Sequence, residues 1–145
     1  LTEKGKIYIG LYHLHGRKPF LNYFKNLQSK GYSNDELLRE YSKIHTNLKD
    51  KTHLESWFRD QVLHPHETLH TMEEIMPILE SENMILTSTS INKFEKINYV
   101  KNKGYDKTQL QSIFEKEKKM KEASEKALIE KRYYPGFFTF FAERK

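Results

Sequence analysis

The sequence predicts an α/β fold in which helical insertions connect three strands. Residues 6–12 and 137–142 are rich in β-branched and aromatic side chains, which favours strands, and Met84–Ile91 is a third such run with Thr and Ser interleaved. Three capping-box patterns lie between these runs and predict the starts of helices. With 145 residues, the chain is long enough for one domain with a modest core.

Composition restricts the class of protein. Aromatic residues make up 13% of the chain, which argues against disorder although 31% of the residues are charged. The net charge of +5 permits an anionic partner such as RNA without requiring one. The sequence has no Cys, which excludes disulfides and thiolate chemistry and leads us to expect a reducing compartment, the cytoplasm. No apolar run approaches membrane-spanning length, so we expect no membrane partner.

The first strand, Lys6–Tyr12, is apolar on both faces, which is typical of an interior strand of an α/β sheet. Residues 13–18 then read as a polar loop, and loops at strand ends are common ligand positions. His13, His15 and Arg17 place cationic or potentially cationic groups there. We therefore expect these three residues to bind an anionic group of a substrate, with a solvated basic loop as the alternative.

A helical insertion is predicted over residues 19–64. Pro19 suits a first helical turn, and Gly31 suits the residue after a helix end. Ser33–Glu36 matches a capping box that opens a second helix. A third, short helix is expected to end at or before His64, because Pro65 disfavours a helical conformation in the residue that precedes it.

The second half of the chain contains two further predicted helices. Thr71–Glu74 is a capping box, and Pro77 is expected to kink or shorten the helix that follows. A long polar helix is predicted from residue 106 to about residue 131, as a solvated face or as an interaction arm. A turn at residues 133–136 leads into the strand at 137–142, which is apolar enough to need cover on both faces.

The stretch WFRDQVLHPHETLHTMEE, Trp57–Glu74, has the composition of a site or of its rim. It contains the only Trp and three of the seven His. Trp57 and Phe58 are expected to anchor the short helix in the core, so that the polar residues after them project from a stiff turn. The expected substrate contacts in this stretch are Arg59, Asp60, His64, His66, Glu67 and His70. Structural hydrogen bonds by the same histidines are the alternative.

His66 to His70 also matches the H-E-x-x-H pattern of zinc proteases. In those enzymes both His lie on one face of one helix, whereas here the capping box starts the helix only at Thr71 and Pro65 precedes the motif. The pattern therefore predicts no metal site of this kind. A looser metal cluster of His64, His66, Glu67 and His70 remains an alternative.

Three stretches together resemble class I S-adenosylmethionine-dependent methyltransferases. Thr2-Glu3-Lys4-Gly5 followed by residues 6–12 resembles the L-x-P-G-G sequence and fifth strand of that family, although Glu3-Lys4 stands where the family usually has Pro-Gly. The W-F-x-D-Q and H-P-H-E motifs at residues 57–61 and 64–67 resemble a bacterial subset with an insertion after the fifth strand. The last ten residues resemble the family's final strand.

The resemblance implies a Rossmann-like sheet of order 3-2-1-4-5-7-6, in which this chain supplies strands 5, 6 and 7 and strand 7 is antiparallel. It also implies that the glycine-rich loop and the acidic residue that bind S-adenosylmethionine lie upstream, where nothing in this sequence matches them. The chain is then expected to be the C-terminal, substrate-side fragment of a longer polypeptide, inactive alone. One sheet edge and one helix-packing surface would be bare.

The function implied is methyl transfer to a small-molecule, protein or RNA nucleophile, with His64 or His66 as the base where one is needed. Cofactor-binding residues are not assigned. The alternative is a non-catalytic basic module that binds RNA or an acidic protein through the Lys and Arg of helix 106–131.

Overall fold

A computed structural model describes residue 2 and residues 5–145. Leu1, Glu3 and Lys4 lie outside the described residues. The position at which Glu3-Lys4 replaces the family's Pro-Gly turn is therefore outside them too. The described residues form a mixed α/β structure, which confirms the predicted fold class at that level.

The described residues contain five α-helices and six strands. The helices are α1 (Leu14–Ser29), α2 (Asn34–Ile44), α3 (Lys51–Phe58), α4 (Met72–Ser81) and α5 (Lys107–Ile129). The strands are β1 (Lys6–His13), β2 (Leu69–His70), β3 (Met84–Thr89), β4 (Tyr99–Val100), β5 (Gly104–Tyr105) and β6 (Phe137–Arg144). A π-helical turn at Arg59–Leu63 continues α3, and a 3₁₀ turn at Ser90–Asn92 follows β3.

Within residues 5–145, four strands form one mixed sheet in the order β2-β1-β6-β3. The last strand, β6, is antiparallel to both β1 and β3. The short β2 is parallel to β1 and pairs only with its end, Tyr12 with Leu69 and His13 with His70. From Lys6 to Leu11, the outer edge of β1 therefore has no strand partner among the described residues.

Three strands were predicted, and each is present within two residues of its expected ends. The sequence did not predict β2 or the separate β4–β5 hairpin, because a two-residue strand carries no periodic pattern. The predicted third strand ends at Thr89 instead of Ile91. There the Thr89 side chain accepts a hydrogen bond from the Ile91 backbone and starts the 3₁₀ turn.

The predicted loop at residues 13–18 is wrong, because α1 already begins at Leu14. His13 is extended and caps the helix: its Nδ1 accepts hydrogen bonds from the backbone N–H of His15 and Gly16, at 3.1 and 3.4 Å. Histidine is not among the residue types whose presence predicts an N-cap. The predicted C-terminal end of this helix is confirmed, since Gly31 follows α1 with a φ of +86°.

The other predicted helix limits agree closely with the structure. Ser33 and Glu36 form both hydrogen bonds of a capping box at the start of α2. The helical segment that includes the π turn ends at Leu63, one residue before His64. Pro77 lies inside α4 without shortening it, on an exposed position where water can bond to the carbonyl that lacks a helical donor.

The sheet is covered unevenly. One face of β6, with Phe138, Phe140 and Ala142, packs under α4 and α5 in the larger core. A second core lies among α1, α2 and α3. The described residues supply the predicted cover on only one face of β6, because Phe137 and Phe141 on its other face are 45% and 39% exposed. None of the helices in the described part of the chain has the length and apolarity needed to cross a membrane.

Candidate functional site

A cleft of about 700 Å³ lies at the carboxyl end of β1, between the start of β6 and the α3–π segment. Aromatic side chains form much of its wall: Tyr12, Trp57, Tyr133 and Phe137. The polar lining residues are Asp60, Gln61, His64, His66 and Glu67. Ligands of open α/β sheets bind outside the carboxyl ends of the strands, so the cleft occupies a favourable position for a site.

Alternation along β1 sorts its last two side chains onto opposite faces of the sheet. Tyr12 lines the cleft, whereas His13 is fully buried on the other face. Gly10 makes room on the cleft face, since a Cβ there would collide with the Phe137 ring. A glycine three residues before the strand end thus allows the Phe137 ring to lie over the strand beside the cleft.

The α3–π segment presents one side to the core and one to the cleft. Phe58 and Val62 are buried in the second core, and the buried Gln61 accepts a hydrogen bond from the Tyr41 hydroxyl at 3.1 Å. The expectation that Trp57 also anchors the helix in the core is wrong, because Trp57 is 44% exposed and lines the cleft. A π turn at this point exposes Asp60 at the cleft, and such turns are frequent at functional sites.

Arg17 and Glu67 form a buried, two-pronged ion pair beside the cleft. Arg17 Nε donates to Glu67 Oε2 at 2.8 Å and Nη2 donates to Oε1 at 2.6 Å. The guanidinium lies 4.8 Å from the Tyr12 ring centre and 4.3 Å from that of Phe20. Burial acts to lower the pKa of Arg17, but the hydrogen bond and charge of Glu67 outweigh it and raise that pKa.

This pair changes the roles expected of both residues. Arg17 lies on α1 with no exposed surface, and its two bonds to Glu67 occupy the carboxylate. The pair instead ties the H-P-H-E turn to α1. His64 closes the π turn through its backbone, which donates to the Arg59 carbonyl at 2.9 Å. His64 and His66 therefore project at the cleft from a turn that is held at both ends.

His13 lies in a second buried pair on the opposite face of β1. Its Nε2 is 2.9 Å from Glu117 Oε2, and both side chains are at most 1% exposed. Because Nδ1 accepts the two N–H groups of α1, Nε2 carries the proton and donates to Glu117. Glu117 also accepts from the backbone N–H of Met72 and Glu73, at 2.6 and 3.2 Å, and so caps α4.

Three other predicted substrate contacts lie outside the cleft. His15 lines a groove between α1 and α5, where burial and then the neighbouring His13 lower its pKa. Arg59 is exposed and does not line the cleft, in contrast to its neighbour Asp60, as expected for adjacent residues of a helix. His70 lies in β2, with Nε2 3.0 Å from the Thr68 hydroxyl.

The H-E-x-x-H segment is not helical. Residues 66–68 are irregular and His70 belongs to β2, so the two His do not share a helical face. Glu67 is paired with Arg17. Among the described residues, no group of three or more His, Asp or Glu side chains is arranged to hold a metal ion.

Several cleft residues were not predicted from the sequence. Tyr12, Tyr133 and Phe137 reach the cleft only through the fold, and an aromatic residue near a strand end is more often part of a core. The ring of His45 packs against that of Tyr133, with 3.7 Å between the ring centroids and a tilt of 33°. Burial and then the charge of Arg17 lower the pKa of His45 to about 4, so this ring is neutral at physiological pH.

Comparisons with protein-family models, with curated proteins and with solved structures gave no significant match. The function of the cleft must therefore be inferred from its position in the sheet and from the chemistry of its lining.

Proposed function

We propose that this chain forms the substrate side of an S-adenosylmethionine-dependent methyltransferase, with the cleft at the end of β1 as the acceptor site. The observation that carries the proposal is the strand order β1-β6-β3 with β6 antiparallel to both neighbours. This is the order 5-7-6 that the resemblance implies for strands 5, 6 and 7. The cleft lies where ligands of such sheets bind.

Uncovered surface on the sheet gives further support. The edge of β1 from Lys6 to Leu11 has no strand partner among the described residues. On the adjoining face, Tyr8, Phe94 and Phe141 are 59%, 46% and 39% exposed, and the Phe141 ring contacts the other two. An open edge beside an exposed aromatic face favours another strand and helix packing there. We propose that the remainder of the same polypeptide supplies them.

We propose that the cofactor binds outside the described residues. Their glycines are dispersed, and the helix starts nearest the end of β1 are already capped by His13 and Glu117. Bound cofactor would supply the methyl group as an electrophile. In our proposal it is held by the remainder of the polypeptide, and this chain binds and orients the acceptor.

The cleft residues suit positioning and proton transfer. Methyl transfer is an in-line displacement that depends on holding the acceptor atom in place. Trp57 and Tyr133 offer flat walls for an acceptor, and Asp60 offers a hydrogen-bond acceptor at the rim. His64 and His66 are exposed at the same rim, where an imidazole can take the proton that the acceptor loses.

The alternative, a basic module that acts through α5, has less support. Lys121 and Lys126 lie 3.9 and 3.8 Å from Glu125 and Glu130, one turn further along the helix. Neighbouring opposite charges of this kind reduce the positive potential that an RNA or an acidic protein would need.

Calorimetry with S-adenosylmethionine tests the proposal. We expect the full-length gene product to bind the cofactor and to transfer a labelled methyl group, and residues 1–145 alone to bind it too weakly to measure. Low-micromolar binding by residues 1–145 would contradict the placement of the cofactor. A full-length gene product that does not bind the cofactor would contradict the function itself.

A further inference from the structure

The charge of the cleft differs from that of the whole protein. The chain has a net charge of +5, yet among the described residues no Lys or Arg lines the cleft. Its charged lining groups are the carboxylates of Asp60 and Glu67. Glu67 is matched by Arg17, whereas Asp60 has no ion pair within the described part of the chain. The cleft therefore carries an excess of negative charge.

The walls of the cleft are aromatic. Trp57 and Phe137 are 44% and 45% exposed, and Tyr12 lies edge-to-face with Phe137 at 5.6 Å between ring centres. The face of an aromatic ring attracts cations, most strongly for Trp. Arg17 already uses this attraction beneath Tyr12, but it has no exposed surface and Glu67 neutralises it. The exposed rings of Trp57 and Phe137 are therefore available to a second cation.

We propose that the cleft recognises an organic ammonium or protonated amine, with Asp60 as counter-ion and the exposed rings of Trp57 and Phe137 as walls. The sequence led us to expect an anionic ligand group at His13, His15 and Arg17. In the cleft, such a group would instead be repelled by the Asp60 carboxylate. Binding of the ammonium group does not depend on the proposed function. Only the further step, in which the bound amine accepts the methyl group, rests on it.

An amine also fits the histidines at the rim. A protonated amine must lose one proton before its nitrogen lone pair can form a bond. His64 and His66 lie at the same cleft as Asp60, and a neutral imidazole can accept that proton and later release it to water.

The fluorescence of Trp57 reports directly on this cleft, because it is the only Trp in the chain. We would titrate residues 1–145 with choline and with its neutral isostere 3,3-dimethylbutan-1-ol, and in parallel with benzylammonium and benzyl alcohol. We expect saturable changes with both cations and affinities for the neutral compounds lower by about tenfold, the scale of a cation–π contact combined with an ion pair.

Two variants separate charge from shape. Asp60→Asn should weaken binding of the cations by about threefold and leave the neutral compounds unaffected, because it removes only the counter-ion charge. Phe137→Leu keeps an apolar wall without the ring and should weaken the cations selectively. Glu55→Gln is the matched control, since Glu55 is on the same helix but does not line the cleft, and it should change neither affinity. Circular dichroism checks that each variant is folded.

Equal affinity for cations and isosteres would overturn the proposal, as would unchanged cation binding in folded Asp60→Asn protein. The absence of a saturable response to both cations would do the same. Because these titrations contain no methyl donor, their result is independent of the methyltransferase proposal. If residues 1–145 bind the cations but the full-length gene product transfers no methyl group, the ammonium proposal stands and the methyltransferase proposal fails.

Discussion

The two buried polar pairs on opposite sides of the end of β1 are built from similar residues but differ in how completely they are satisfied. Glu117 accepts hydrogen bonds from His13 and from two backbone N–H groups of α4, and both pair members are closed off from solvent. The Arg17–Glu67 pair borders the cleft and leaves Arg17 Nη1 without a hydrogen-bond partner. Both pairs connect segments that are distant in sequence, but only the Arg17–Glu67 pair lies beside the side chains of the open cleft.

The difference indicates that the two pairs have different tasks at the end of β1. His13 points into the core and joins two helix starts, which is a structural task. Arg17 holds the turn from which His64 and His66 reach the cleft. Substitutions on the His13 side should therefore affect stability first, and substitutions of the exposed cleft residues His64 and His66 should affect binding and turnover first.

The largest effect on stability is expected for Glu117→Ala. It leaves two helix N–H groups and the His13 ring without their buried acceptor, which should cost roughly 3–5 kcal/mol of the free energy of unfolding. Urea denaturation measures this cost. The control is Glu122→Ala on the exposed side of α5, expected to stay within about 0.5 kcal/mol. Equal costs for the two variants would contradict the structural role of Glu117.

On the cleft side, Glu67→Gln should cost about 3 kcal/mol, because it leaves the Arg17 guanidinium buried without its counter-charge. Replacing both partners in Arg17→Met with Glu67→Met should cost less than the Glu67→Gln change, since no buried charge then remains unpaired. Denaturation of both proteins provides the comparison. A double replacement that is clearly less stable than Glu67→Gln would show that the pair is a net source of stability.

Acid should weaken the cleft side through His45. Its pKa of about 4 in the folded protein lies below the ordinary 6.5, because the ring is buried and neutral. The unfolded chain binds the extra proton first, so this contribution is complete above pH 6.5 and is lost as the pH falls towards 4. Between pH 7 and pH 5 the loss should be about 2 kcal/mol.

The variant His45→Phe keeps a ring against Tyr133 and removes the titration. Its stability should fall less than that of the unaltered protein over the same pH interval, as measured by denaturation at each pH. Parallel curves for the two proteins would contradict the neutral state of His45.

The smallest effect is expected at a helix cap remote from both pairs. Ser33→Ala removes one half of the capping box of α2 and should cost about 1 kcal/mol. Trp57 fluorescence titrations with choline should be unchanged in this variant. A changed affinity would indicate that the cleft responds to general loss of stability, which would weaken the distinction between the two sides of β1.

Local signals in the sequence account for what could be predicted. The capping residues Ser33 and Thr71 and the stop at Gly31 act on the adjoining backbone, and all three were predicted. The polar part of the cleft was also largely predicted, because Asp60, His64 and His66 lie close together in the sequence.

Tertiary contacts account for what could not be predicted. Glu117 lies in a Lys- and Glu-rich helix that reads as a solvated face, and it is 1% exposed only because His13 and α4 meet it there. The cap formed by His13 and the cleft walls formed by Tyr133 and Phe137 likewise depend on residues far away in the chain.

The measurement that tests the central claim most directly is turnover and melting temperature together, in the full-length gene product. His64→Ala and His66→Ala on the cleft side are compared with His13→Gln on the buried side. We expect the more critical cleft variant to lose turnover by about 100-fold or more, the scale of a lost acid–base group, with a nearly unchanged melting temperature. His13→Gln should lower the melting temperature and leave turnover of the folded protein almost intact. Full activity in both cleft variants, or losses that only follow the melting temperature, would contradict the assignment of the cleft as the reacting site.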